Sequence, residues 1–302
     1  MKKILITGSN GLLGQNLLDQ LIPREDCQVL AVSKSPDVYP EQSGYSFKQI
    51  DLTQRQKVLK ISEFFCPDVV IHGAAMTQVD PCELNPDLCT SVNVEGTRNV
   101  ADMSSKCGAR FIYISTDFVF DGEGGPYKEN ADLEPVSHYG WTKLEGEKIT
   151  QSMPVPWAIV RTILVYGLTP AMSRSNLVLW VKESLERNQP IRVVKDHFRM
   201  PTLVDDLVWG IIKIMDLEKQ GIYHLSGPEI ASILELAVEI AQFFDLDTNL
   251  ITPIHSKELN QPGKRPPKTG FVLDKSRAEL GYKPKNFRQG LSVVQNLLKD
   301  YT

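Results

Sequence analysis

Short β-branched runs alternate with amphipathic helical patterns through the first half of the chain, and that alternation limits the fold more than any other feature. Residues 3–7, 28–33, 69–73, 110–115 and 157–162 are apolar runs of strand length. Between them, residues 12–21, 54–65, 86–106 and 138–151 carry apolar side chains at helical spacing. Buried strands joined by helices imply right-handed crossovers, so the expected fold class is α/β with a doubly wound parallel sheet. After Gly167 the pattern loosens. Residues 175–186, 204–215 and 233–244 read as helices, and 191–194 and 222–225 as short strands. The prolines of segment 261–267 make it a loop. A first domain is therefore expected over residues 1–166 and a smaller mixed lobe over 167–302, part of which returns to the main sheet.

The turn between the first strand and first helix is Gly8-Ser-Asn-Gly11-Leu-Leu-Gly14. Glycines there permit a tight turn, close backbone approach to a pyrophosphate and close packing of helix on strand. An ordinary strand-to-helix turn is the alternative. The flanking order of strand and helix favours a Rossmann dinucleotide site, with Gly8, Asn10, Gly11, Leu12, Leu13 and Gly14 against the cofactor. An acidic residue at the end of the second strand would suit the ribose of NAD, but this chain has Ser33-Lys34 there. A hydroxyl and an ammonium suit a 2′-phosphate, so NADP, used as NADPH, is expected before NAD. Asp51-Leu52 either borders the adenine or caps a helix ahead of Gln54. Gly73, Ala74 and Ala75 either let the cofactor lie on the backbone or simply end a strand tightly.

Ser115-Thr116-Asp117 ends another apolar run, and Tyr139-Gly-Trp-Thr-Lys143 opens a helical pattern. Lys143 lies four residues after Tyr139, so on a helix both leave from one face. Carbonyl reduction needs a proton for the oxygen, and a tyrosine yields one more readily beside an ammonium that stabilises its phenolate. A helical tyrosine with a surface lysine is the plainer alternative.

Composition removes other classes. The formal net charge of -4 argues against nonspecific nucleic-acid binding, and 42% hydrophobic with 23% charged residues is ordinary for a soluble globular protein. The basic start before residues 4–7 reads as a strand and not as a signal peptide, and no run reaches the roughly 18 apolar residues of a membrane span. Five cysteines without Cys-x-x-Cys spacing favour reduced thiols in a cytoplasm, and five scattered histidines give no metal site.

The glycine turn, Ala-Ala-Met-Thr-Gln-Val-Asp80, Asn-Val-Glu-Gly-Thr-Arg-Asn99, Ser-Thr-Asp-Phe-Val-Phe-Asp-Gly122, Tyr139-Gly-Trp-Thr-Lys143, Val-Tyr-Gly167, Arg199-Met-Pro-Thr202 and Arg265-Pro follow one another along nearly the whole chain. Together they resemble the extended short-chain dehydrogenases/reductases. Within these the chain looks most like the dTDP-4-dehydrorhamnose reductases and the related β subunit of methionine adenosyltransferase.

That resemblance implies NADPH-dependent reduction of the 4-keto group of a nucleotide-linked deoxysugar, dTDP-4-dehydro-L-rhamnose first among them. The alternatives are a noncatalytic, NADP-binding regulatory subunit, or another reductase or epimerase of the same fold. A homodimer is compatible with it. It implies Tyr139 as general acid, with its pKa lowered by Lys143, which also holds the nicotinamide ribose. Thr116 would polarise the substrate carbonyl, with Ser115 a lesser participant, and Asn93 would support the lysine through water. Thr77, Gln78, Val79 and Asp80 would line the substrate side, and Arg199 and Arg265 would face the substrate diphosphate. Three departures bear on the sugar: Leu164 stands where a tryptophan is usual, Trp141 where a smaller residue is usual, and His138 replaces an apolar one. They suggest a reshaped sugar pocket. Asp117 is followed by Phe118, where dehydratases usually carry a glutamate.

Overall fold

The computed structural model describes residues 1–41, 43–172 and 174–300. Six strands lead the chain: β1 (Lys2–Thr7), β2 (Cys27–Ser33), β3 (Ser46–Gln49), β4 (Val69–His72), β5 (Arg110–Thr116) and β6 (Trp157–Thr162). With the Gly221–His224 strand they form one parallel sheet, ordered Gly221–His224, β6, β5, β4, β1, β2, β3. Ile4, Leu5 and Ile6 of β1 are buried, as a strand covered by helices on both faces requires. The strand order reverses between β1 and β4, so the connections leaving their carboxyl ends diverge and open a crevice.

The Leu12–Leu21 and His138–Gln151 helices begin and end where the sequence pattern does. Two expected helices are interrupted. Residues 54–65 split into Arg55–Leu59 and Ile61–Phe64, because Lys60 tightens the turn at ψ -20°. Residues 86–106 divide into Pro86–Thr90, a π-helical turn at Ser91–Glu95 and Gly96–Cys107. The sequence reading also passed over the Val79–Leu84, Asp274–Leu280 and Phe287–Asp300 helices.

Beyond Gly167, the Leu177–Glu186 and Ile233–Phe243 helices pack around a second core that includes Val178, Val181, Leu236, Ile240, Leu291 and Val294. A capping box between Ser232 and Glu235 starts the second of these helices. The Val204–Asp216 helix instead packs on the Leu12–Leu21 helix, and the next strand, Gly221–His224, pairs with β6. Thus the later half both covers the crevice and completes the main sheet. Among the described residues no helix is long and apolar enough to cross a membrane, and no acidic, histidine or cysteine cluster could hold a metal ion.

Candidate active site

A cleft of about 1310 Å³ lies over the carboxyl ends of the central strands, with residues of both halves on its walls. Gly8 holds φ +75°, where a Cβ would sit 2.9 Å from Ala74 Cα. A Cβ on Gly14 would reach 2.5 Å from Ser9 Cα. Both positions therefore exclude a side chain for packing reasons. Gly11, Leu12, Leu13, Gly73, Ala74 and Ala75 complete this wall. Asn10 donates to Ser35 Oγ at 2.9 Å and Pro36 O at 2.7 Å, while its buried Oδ1 has no partner among the described residues. A bare-backbone turn at a helix start, next to an unused acceptor, fits a dinucleotide.

Ser33, Lys34, Asp51 and Leu52 line the adjoining part of the cleft. Lys34 Nζ lies 3.0 Å from Asp51 Oδ2. Asp51 also accepts from Thr53 N at 3.0 Å and Thr53 Oγ1 at 2.8 Å. Burial raises its carboxyl, but these hydrogen bonds and Lys34 outweigh that and hold it below the usual carboxylate value. Asp51 therefore closes a local turn and does not cap the following helix, whose N-cap, Gln54, makes no side-chain bond.

Thr116, Tyr139 and Lys143 meet on the same cleft from β5 and the His138–Gln151 helix. Ser137 starts that helix by accepting from Gly140 N, which orients the turn bearing Tyr139. Lys143 Nζ sits 4.1 Å from the Tyr113 ring centroid. Burial holds its ammonium down to about 7, against the opposing pull of Glu147 and Cys89. The expected lowering of Tyr139 by Lys143 is corrected here: burial raises the phenol, with the Thr116 hydroxyl acting the other way. Thr116 Oγ1 donates to Asp117 Oδ1 at 3.2 Å and accepts from Phe118 N at 3.3 Å.

Several expected roles change with the observed partners. Asn93, on the π-helical turn, does not line the cleft; it bonds Met76 N at 2.7 Å, Met76 O at 2.9 Å and Thr142 Oγ1 at 3.0 Å, fixing the backbone after β4. Ser115 donates to Glu147, which pairs at 2.7 Å with the fully buried Arg161. Ser115 is on the cleft wall, but its hydroxyl is committed to Glu147. Asp80 points to Arg265 in a bidentate pair at 2.7 and 2.8 Å and is not on the cleft wall, whereas Thr77 and Val79 are. Arg199 and Arg265 line the cleft with their charges already matched. Arg199 lies 3.5 Å from the buried Asp117 and also donates to the carbonyls of Phe198, Pro266 and Pro267.

Trp141 is removed from the pocket altogether, being exposed and lying against the His138 ring at 5.4 Å between centroids, tilted by 31°. Leu164 does line the cleft, at φ +41°. The sequence reading missed Arg174, which reaches across to Thr77 Oγ1 at 3.5 Å and forms no ion pair among the described residues. Its only sequence signal was a cation in an otherwise patternless loop.

The chain is similar to known proteins along nearly its whole length. The spore coat polysaccharide biosynthesis protein SpsK of Bacillus subtilis (strain 168) is 32% identical over 294 residues, covering 96% of each chain. Methionine adenosyltransferase 2 subunit beta of Xenopus laevis is 30% identical over 283 residues, 92% of this chain and 82% of that one. The solved structure of dTDP-4-dehydrorhamnose reductase from Bacillus anthracis str. Ames, in complex with NADP, is 30% identical with a TM-score of 0.88, covering 98% of this chain and 100% of that one. The RmlD substrate binding domain family model matches residues 1–300. The chain, with its Rossmann sheet, its glycine turn and its tyrosine and lysine on one cleft, belongs to the RmlD substrate-binding domain family.

Proposed function

We propose that this chain is an NADPH-dependent reductase acting on the 4-keto group of a nucleotide-linked deoxysugar, converting dTDP-4-dehydro-L-rhamnose to dTDP-L-rhamnose. The carrying observation is the convergence of Thr116, Tyr139 and Lys143 on the cleft that holds the Gly8–Gly14 turn. The similar dTDP-4-dehydrorhamnose reductase bound to NADP supports both coenzyme and substrate. Five free cysteines, none in a disulfide, are in keeping with a cytoplasmic reaction.

NADPH, when bound, supplies the hydride for the keto carbon. Tyr139 donates its phenolic proton to the keto oxygen; because burial raises the phenol, that proton is present at neutral pH. Lys143, one helical turn away, stabilises the phenolate left behind. Thr116 turns its hydroxyl proton from Asp117 Oδ1 to the carbonyl oxygen, and the Asp117–Arg199 pair beneath it keeps that strand end in place. Arg174, which forms no ion pair among the described residues, is a cation available to the substrate diphosphate, whereas Arg199 and Arg265 are engaged by carboxylates.

The test is single-turnover oxidation of NADPH with dTDP-4-dehydro-L-rhamnose, with a GDP-linked 4-ketosugar and without sugar. Oxidation with the dTDP compound alone is the expected result; oxidation with the GDP compound alone moves the assignment to another nucleotide sugar. The similarity to methionine adenosyltransferase 2 subunit beta favours one second reading, a noncatalytic NADP-binding regulatory subunit. Tight NADPH binding without oxidation by any ketosugar would make that reading the better one.

A further inference from the structure

The Lys34 side chain is 71% exposed, whereas that of Asp51 is 22% exposed and tied to Thr53 by two hydrogen bonds. The lysine is therefore the partner with room to turn, and the carboxylate is the one held in place. Both stand on the cleft wall beside Ser33 and Ser35, where the second strand ends. From this geometry we infer that Asp51 limits how far the site prefers NADPH over NADH, by competing with the 2′-phosphate for the Lys34 ammonium. The inference rests on the dinucleotide reading above.

A phosphate oxygen bonded to Lys34 Nζ in its present position would lie within about 6 Å of the Asp51 carboxylate, from the sum of the two contact lengths. Like charges at that separation repel appreciably even through water. If Lys34 swings away to reach the phosphate, its pair with Asp51 breaks. In either case part of the gain from the 2′-phosphate is cancelled. NADH carries no such phosphate and does not meet this cost. Asp51 thus makes the site accept both coenzymes with a modest preference, where Lys34 alone would make it strongly selective.

Asp51→Asn keeps the shape and an acceptor for Thr53 while removing the charge. Kd values for NADPH, NADH, 2′,5′-ADP and 5′-ADP would be measured by titration on the unaltered and the variant protein. The expected result is a rise of roughly fivefold in the NADPH-over-NADH preference, carried by tighter NADPH and 2′,5′-ADP binding. Asp51 also lines the cleft where the adenine would lie, so a shift shared by NADH and 5′-ADP reports that contact, and the rise in the NADPH-over-NADH ratio should shrink in about 1 M salt. An unchanged preference, or an equal shift in all four ligands, overturns the inference while leaving the cofactor reading intact. If none of the four binds the unaltered protein, the cofactor reading itself fails and the inference falls with it.

Discussion

Lys143 is a cation placed where burial works against its charge, titrating at about 7 against 10.5 for an ordinary lysine. Because the folded value is the lower one, the unfolded chain binds more protons between those two pH values, so this residue makes stability rise with pH across the window. Its cost is full below about 7 and gone above 10.5. Lys143→Met should therefore stabilise the protein at neutral pH by roughly 2–4 kcal/mol while removing turnover. Urea unfolding from neutral to alkaline pH checks this, and a variant no more stable than the parent at neutral pH would contradict it. At the neighbouring position, Tyr139→Phe should lower turnover by on the order of 10²-fold or more with little change in NADPH affinity. Near-normal turnover in that variant would take Tyr139 out of the mechanism.

At the scale of elements, the site depends on two departures from regular structure. The first is the turn from β1 into the Leu12–Leu21 helix, where the backbone itself forms the wall. Gly14→Ala would press a methyl against Ser9, opening the turn. We expect a loss of about 1–3 kcal/mol in stability and at least tenfold in NADPH affinity. Equilibrium titration decides it, and unchanged affinity would mean that the cofactor does not use this turn. The second is the π-helical turn at Ser91–Glu95, which presents Asn93 to both backbone groups of Met76. Apolar periodicity across 86–106 made the helix legible in the sequence. The extra residue in one turn was not, because its compensation comes from Met76, 17 positions away in the chain.

For the molecule as a whole, the buried Glu147–Arg161 pair joins the His138–Gln151 helix to β6, and Ser115 adds β5 to the same cluster. Glu147→Gln leaves the Arg161 guanidinium buried without its counter-charge and should cost about 3–5 kcal/mol. Replacing both residues by apolar side chains of similar size should recover most of that loss, which thermal unfolding of the two variants would reveal. The later half also supplies the Gly221–His224 strand on β6 and the Val204–Asp216 helix over the sheet. Residues 1–166 alone would expose that strand edge and the apolar face beneath the helix. They should give no cooperative unfolding transition, and a sharp one would show that the first half is an independent domain.

By itself the sequence determined what short-range chemistry decides: the alternation of strands and helices, the glycine turn, and the four-residue spacing that puts Tyr139 and Lys143 on one helix face. Each follows from local torsions or from a period, and these do not depend on distant partners. Only the tertiary structure decided which charges remain available. Arg199 and Arg265 read as ligand-facing cations until Asp117 and Asp80, 82 and 185 residues away in the chain, were seen to engage them. It likewise turned Trp141 outward, committed Ser115 to Glu147 and set Lys34 against Asp51. Ion pairing and burial are properties of neighbours in space, and a linear chain does not carry them until it folds.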